Sequence, residues 1–121
     1  MSFIEVRRYR TADGREPFAE WLDRLRDGQA RARILARIDR MQTGLRGDWQ
    51  PVGSGVFELR VDHGPGCRVY CGRDGAALVL LLCGGDKRTQ QRDIEVAHGS
   101  WQDYQARTGK RSVPRGRSPA R

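Results

Sequence analysis

The apolar residues of this chain change period partway along, from helical spacing between Phe18 and Met41 to alternation between Phe57 and Cys71, and no single kind of element satisfies both. Phe18, Trp21, Leu22 and Leu25 recur at i, i+3, i+4 and i+7 behind Pro17, whose missing N–H suits the first turn of a helix. Asp27-Gly28 interrupts the run. Gln29 to Thr43 then carries Ile34, Leu35, Ile38 and Met41 on one face, with Gly44 as a stop. So short a break predicts a helical hairpin with its apolar faces directed at a sheet.

The sheet reads from period 2. Phe3 to Tyr9 alternates and predicts a first strand. Val56 to Val61 puts Phe57, Leu59 and Val61 on one face, and Cys67 to Cys71 does the same with Cys67, Val69 and Cys71. Ala77 to Cys83 is apolar throughout, as a central strand covered on both sides would be. Turns at His63-Gly64-Pro65-Gly66 and Asp74-Gly75 make these three segments an antiparallel meander, with the first strand beside Ala77 to Cys83. Trp49 reads as a loop residue. After Gly84-Gly85, a helix from near Thr89 carries Ile94, Ala97, Trp101 and Tyr104 on its apolar stripe. The expectation is one α+β domain over residues 1–106, with a four-stranded, mostly antiparallel sheet, an N-terminal helical hairpin and a C-terminal helix.

A formal charge of +8 suggests a polyanionic partner, but its distribution weakens that argument. Residues 1–106 hold 17 Lys and Arg against 15 Asp and Glu, whereas residues 107–121 hold six basic residues and no acid. That segment reads as a basic, disordered tail with no apolar set to pack. A case for the folded body therefore has to come from where its arginines sit.

Three cysteines, Cys67, Cys71 and Cys83, lie in apolar stretches at spacings that suit buried free thiols in a reducing compartment. Neither His63 nor His98 completes a metal-ligand pattern, and neither a metal nor another cofactor is expected. The first ten residues lack the apolar core of a signal peptide, and no stretch approaches the length of a membrane span, so the expected location is cytoplasmic.

If Phe57, Leu59 and Val61 face the core together with Cys67, Val69 and Cys71, then Arg60, Arg68 and Tyr70 share the opposite face. Lys87 and Arg88 follow the next strand in the loop of Gly84 and Gly85, whose glycines would allow a ligand close to the backbone. This group wants an anion, because arginine matches phosphate bidentately and lysine supplies a compact charge. A merely solvated sheet face is the alternative. Applied to an RNA phosphodiester attacked by its own 2′-hydroxyl, Arg60 and Arg68 would stabilise the growing charge. Tyr70 or Lys87 would handle protons, adjacent positive charge favouring a phenolate or a neutral amine. His63, in the turn at the same end, is a candidate auxiliary. Arg33, Arg37 and Arg40 form a basic helix face that could contact RNA.

Four ordered segments also carry a resemblance: Pro17-Phe18-Ala19-Glu20-Trp21-Leu22, Gly53-Ser54-Gly55-Val56-Phe57-Glu58-Leu59-Arg60, Gly64-Pro65-Gly66-Cys67-Arg68-Val69-Tyr70, and Leu80-Leu81-Leu82-Cys83-Gly84-Gly85-Asp86-Lys87. With Gln90, Asp93 and Ile94 following, the chain resembles the phage-related addiction module killer proteins, a branch of the RelE/HigB/ParE toxin superfamily. The resemblance implies a RelE-like fold with a curved sheet, and the toxin of a type II toxin-antitoxin pair, neutralised by a cognate antitoxin that is often a helix-turn-helix protein. It also implies metal-independent cleavage of mRNA on the ribosome, with the basic residues mapping onto Arg60, Arg68 and Lys87 and an aromatic role onto Tyr70. Cys67 stands where relatives commonly have an aromatic residue. A ParE-like DNA gyrase inhibitor and a non-enzymatic RNA- or protein-binding module are the alternatives, since fold alone does not settle activity.

Overall fold

The computed structural model describes residues 4–44, 47, 49–64 and 66–109. The elements run β1 (Glu5–Arg8), α1 (Pro17–Arg24), α2 (Gly28–Gln42), β2 (Trp49–Gly53), β3 (Val56–Val61), β4 (Cys67–Asp74), β5 (Leu78–Asp86), a 3-10 turn (Lys87–Thr89) and α3 (Gln90–Thr108). Pro17 opens α1 as expected. Asp27-Gly28 is a helix start as well as a break: the Asp27 carboxylate accepts hydrogen bonds from the Gln29 and Ala30 amides at 2.9 and 3.3 Å, capping α2. At its other end Gly44 takes φ 94°, which glycine tolerates without strain.

One sheet holds the chain together, in the order β1-β5-β4-β3-β2. β1 runs parallel to β5 and the other neighbours are antiparallel, so the predicted meander and the place of the first strand both hold. There are five strands among the described residues rather than four. The additional one, β2, escapes pattern reading because Gln50, Pro51 and Gly53 give it no alternation, and Pro51 fits only because β2 is an edge. Its hairpin turn to β3 places Gly53, Ser54 and Gly55 at positive φ, and the Trp49 ring stacks obliquely on Phe57 with centroids 3.9 Å apart. Trp49 is therefore a strand residue.

The sheet is covered on both faces. Phe18, Ile34, Ile38 and Met41 of the helical hairpin bury against Phe57, Leu59, Val69, Cys71 and Leu81, with Trp21 and Leu22 beside them. On the other face α3 lays Ala97 and Trp101 over Val56, Tyr70, Leu80 and Leu82. Burying these large side chains contributes about 1.5–3 kcal/mol each, which makes α3 an integral layer rather than an appendage. Gly72 and Gly84 make that packing possible: a Cβ at Gly72 would strike Trp101, and one at Gly84 would strike Trp21 on the opposite face.

The helix α3 runs beyond the expected domain end at residue 106. Arg107 belongs to it, donating to the Asp103 carboxylate at 2.7 Å and to the Arg10 carbonyl at 2.5 Å, and Gly109 ends it in the left-handed region. Residues 110–121 of the expected tail lie outside the described residues. All three cysteines are buried free thiols. Among the described residues no helix is long and apolar enough to cross a membrane, and no group of three or more His, Cys, Asp or Glu is placed to hold a metal ion.

Candidate phosphate-binding cleft

Antiparallel pairing puts Arg60 of β3 directly opposite Arg68 of β4, and Arg68 opposite Gly85 of β5. Directly opposed residues project to the same side of a sheet, so both guanidinium groups emerge together, as the alternation predicts. Arg60, Asp62, Gly64, Gly66, Arg68 and Lys87 line one cleft of about 320 Å³. A second cleft of about 440 Å³ lies on the other side of Arg60, formed with Arg33, Arg37 and Arg40 of α2. Arg60, Val61 and Asp62 belong to both, so the basic helix face and the two strand arginines form a single track.

The arginines differ in their surroundings. The Arg60 Nε donates to the Glu58 carboxylate at 3.0 Å and its Nη2 to the Gln50 side-chain oxygen at 3.5 Å. Glu58 is 1% exposed, and its other oxygen accepts from the Gln90 amide at 3.2 Å. The Arg68 Nε is buried and has no hydrogen-bond partner among the described residues. Lys87 is exposed on the rim. Arg33 and Arg40 are exposed, whereas Arg37 is 5% exposed and packed beside Gly47, where a Cβ would collide with its guanidinium.

Several expected site residues fall elsewhere. Tyr70 is on the predicted face but fully buried beneath α3, so it cannot meet a ligand in the cleft. Burial pushes its phenol well above the ordinary 10.0, with the Glu58 and Asp93 carboxylates adding to the rise and Arg68 only partly opposing it. Alternation assigned the face correctly but could not reveal that a third helix covers it. Arg37 likewise offers little surface to an RNA strand. His63 turns away from the arginines: its Nε2 lies 3.0 Å from the Asp27 carboxylate, beside Trp21 and Cys67 in a separate cleft on the helical-hairpin side. Arg88 is tied to Asp86 at 3.1 Å outside the cleft lining. Gly84 and Gly85 lie within β5 and clear space for Trp21 and Asp93 respectively, rather than for a ligand. The His98 Nε2–H donates to the Val52 carbonyl at 2.9 Å, as a packing residue.

Gln50 escaped sequence reading, as did the contacts that Gln90 and Glu58 make in the site. Glu58 sits two residues before Arg60 on the same strand face, opposite Tyr70, and that i, i+2 spacing was the available signal. Gln50 and Gln90 come from elements whose placement only the fold supplies.

The arrangement can grip an anionic strand. Cross-strand guanidinium groups offer several N–H donors to one phosphate, Lys87 adds a point charge, and Arg33 and Arg40 continue the positive surface. The family described as "Phage derived protein Gp49-like (DUF891)" matches residues 20–99. A protein of Haemophilus influenzae (strain ATCC 51907 / DSM 11121 / KW20 / Rd), described as "Uncharacterized protein", is 51% identical over 80 residues, covering 66% of this chain and 81% of the relative. The matched segment takes in the later part of α1, all of α2, the four antiparallel strands and the first half of α3, and hence every residue of the cleft. With α2, the four antiparallel strands and the arginine track inside that match, the chain belongs to the Gp49-like family of phage-derived proteins.

Proposed function

We propose that this protein is the toxin of a type II toxin-antitoxin pair and acts as a ribosome-dependent mRNA endoribonuclease. The observation that carries the reading is the placement of Arg60, Arg68 and Lys87 around one cleft, with Arg33 and Arg40 extending it. Cleavage proceeds by attack of the 2′-hydroxyl on the adjacent phosphorus, without a metal. The new P–O2′ bond forms as the P–O5′ bond breaks, leaving a 2′,3′-cyclic phosphate and a 5′-hydroxyl. Arg60 and Arg68 hold the non-bridging oxygens and offset the negative charge that grows on them. Lys87 is the proton carrier within the cleft; the buried Tyr70 has no part in it.

The small open site supplies charge and little else, so the ribosome fixes the strand in the in-line geometry. Neutralisation falls to a cognate antitoxin that binds the protein directly. Purified protein incubated with mRNA, with and without programmed ribosomes, tests the reading by primer extension. Cuts within translated codons, dependent on ribosomes and lost in Arg68→Ala, are expected. Intact transcripts together with inhibited gyrase supercoiling would replace this reading by the gyrase-directed one.

A further inference from the structure

A fully buried carboxylate in a small sheet is costly unless it is paired and hydrogen-bonded, so Glu58 needs a reason to be there. It is 1% exposed, on the face covered by α3, and both its oxygens are occupied: Oε2 by the Arg60 Nε at 3.0 Å and Oε1 by the Gln90 side-chain amide at 3.2 Å. Gln50, directly opposite Glu58 on β2, meets the same guanidinium at 3.5 Å. Arg60 thus has its Nε side fixed from below by β3 and one edge fixed by β2, while its side chain keeps 38% of its surface at the junction of the two clefts. Gln90 is the first residue of α3, so the carboxylate that orients Arg60 is itself held by the covering helix.

We infer that Glu58 is a positioning residue: it fixes the guanidinium of Arg60 for phosphate contact, and Gln90 links that orientation to the seating of α3. Glu58 does not touch the substrate. Its action rests on the reading of the cleft as a phosphate site, but its effect on Arg60 is separable from that reading. A flexible arginine pays rotamer entropy for each contact, and a guanidinium pre-oriented by a buried carboxylate pays less.

The test uses the full chain and two readouts. In ¹⁵N NMR spectra the Arg60 Nε–H resonance, assigned by its loss in Arg60→Lys, is expected to exchange slowly with water in the wild type and to broaden or vanish in Glu58→Gln. Binding of a 2′-O-methyl oligoribonucleotide is expected to weaken about tenfold in Glu58→Gln, close to the loss in Arg60→Ala. Gln90→Met, at a partly exposed position, disturbs the same carboxylate from the helix side and gives the same resonance change should Glu58→Gln fail to fold. An unchanged Arg60 resonance in a folded variant overturns the inference. So does tighter oligonucleotide binding by Glu58→Gln, which is what simple removal of a negative charge would give. A wild type that binds no oligonucleotide overturns the function proposed for the cleft, while the resonance readout still decides the role of Glu58.

Discussion

Arg60 and Arg68 are cross-strand partners, yet the Arg60 Nε is bound to a buried carboxylate and the Arg68 Nε is buried without a hydrogen-bond partner among the described residues. The same substitution should therefore act on stability in different ways at the two positions. An idle buried donor costs about 1–3 kcal/mol, so Arg68→Met, which keeps the aliphatic stem, should leave the Tm unchanged or higher while ribosome-dependent cleavage falls about 100-fold. Arg60→Met leaves Glu58 uncompensated. Discounted for the partial exposure of Arg60, that should cost about 1–3 kcal/mol in urea unfolding, in addition to lost cleavage.

Tyr70 provides a control against a surface catalytic role. Its hydroxyl is buried with no hydrogen-bond partner among the described residues, so Tyr70→Phe removes an unsatisfied group and keeps the ring. Urea unfolding should give a stability equal to the wild type or about 1 kcal/mol greater, with growth arrest intact. Tyr70→Ala should cost about 3–5 kcal/mol through the cavity it opens beneath Trp101 and Ala97. A catalytic phenol would reverse the first result, abolishing arrest in Tyr70→Phe without a change in stability.

Alkaline pH should unfold this protein early. Burial pushes the Cys83 thiol up to about 12 from an ordinary 9.0, and raises the Cys71 thiol and the Tyr70 phenol well above their ordinary values too. Between an ordinary 9.0 and those raised values the unfolded chain has released protons that the folded chain retains, so the unfolded state binds fewer and stability falls as pH rises. Urea midpoints taken upward from pH 9 should decline steadily, and Cys83→Ala should flatten part of the decline at some cost in packing. A flat profile over that range would mean these groups are not buried as described.

Gly84 has no room for a methyl group, because a Cβ there would lie against the Trp21 ring. Gly84→Ala must push Trp21 out of its place between α1 and β5, and overpacking of this kind costs about 1–3 kcal/mol. Chemical denaturation should show that loss without altered oligonucleotide affinity, since Gly84 does not line the cleft. A selective loss of affinity would return Gly84 to the ligand-loop role that its sequence context suggests.

That misplacement shows where sequence reading ran out. Period 2 identified the faces of β3 and β4 correctly, so the shared face of Arg60 and Arg68 was legible from Phe57, Leu59, Val69 and Cys71 alone, while their direct cross-strand register comes from the fold. So were α1, α2 and the stripe of α3, because 3.6-residue periodicity is a local property, although Leu35, expected on the apolar face of α2, is exposed. The burial of Tyr70 was not legible: it depends on where α3 crosses the sheet, and no residue near Tyr70 in sequence records that crossing. Consecutive glycines in Gly84-Gly85 read as a loop, since nothing local shows the tryptophan and the aspartate that require them. β2 was hidden for a related reason, as an edge strand with Pro51 gains its identity only from pairing with β3. The Glu58 contacts needed three elements to converge.

Salt dependence should separate the two parts of the basic track. Each phosphate neutralised on a single strand contributes about 0.7 to the slope of log affinity against log salt. Arg40 is exposed on α2 and lines the cleft that Arg60 shares with the helix, so Arg40→Gln should weaken oligonucleotide binding and reduce the slope by about 0.7. Arg37→Gln should change the slope little, because that guanidinium is buried beside Gly47, and should instead lower stability. Asp62 is the carboxylate common to both clefts and acts in the opposite sense, so Asp62→Asn should tighten binding most at low salt. Titrations by fluorescence anisotropy between about 50 and 200 mM salt are sufficient to resolve these slopes. Equal slopes for the Arg40 and Arg37 variants would place the RNA strand away from α2, and confine the contact surface to Arg60, Arg68 and Lys87.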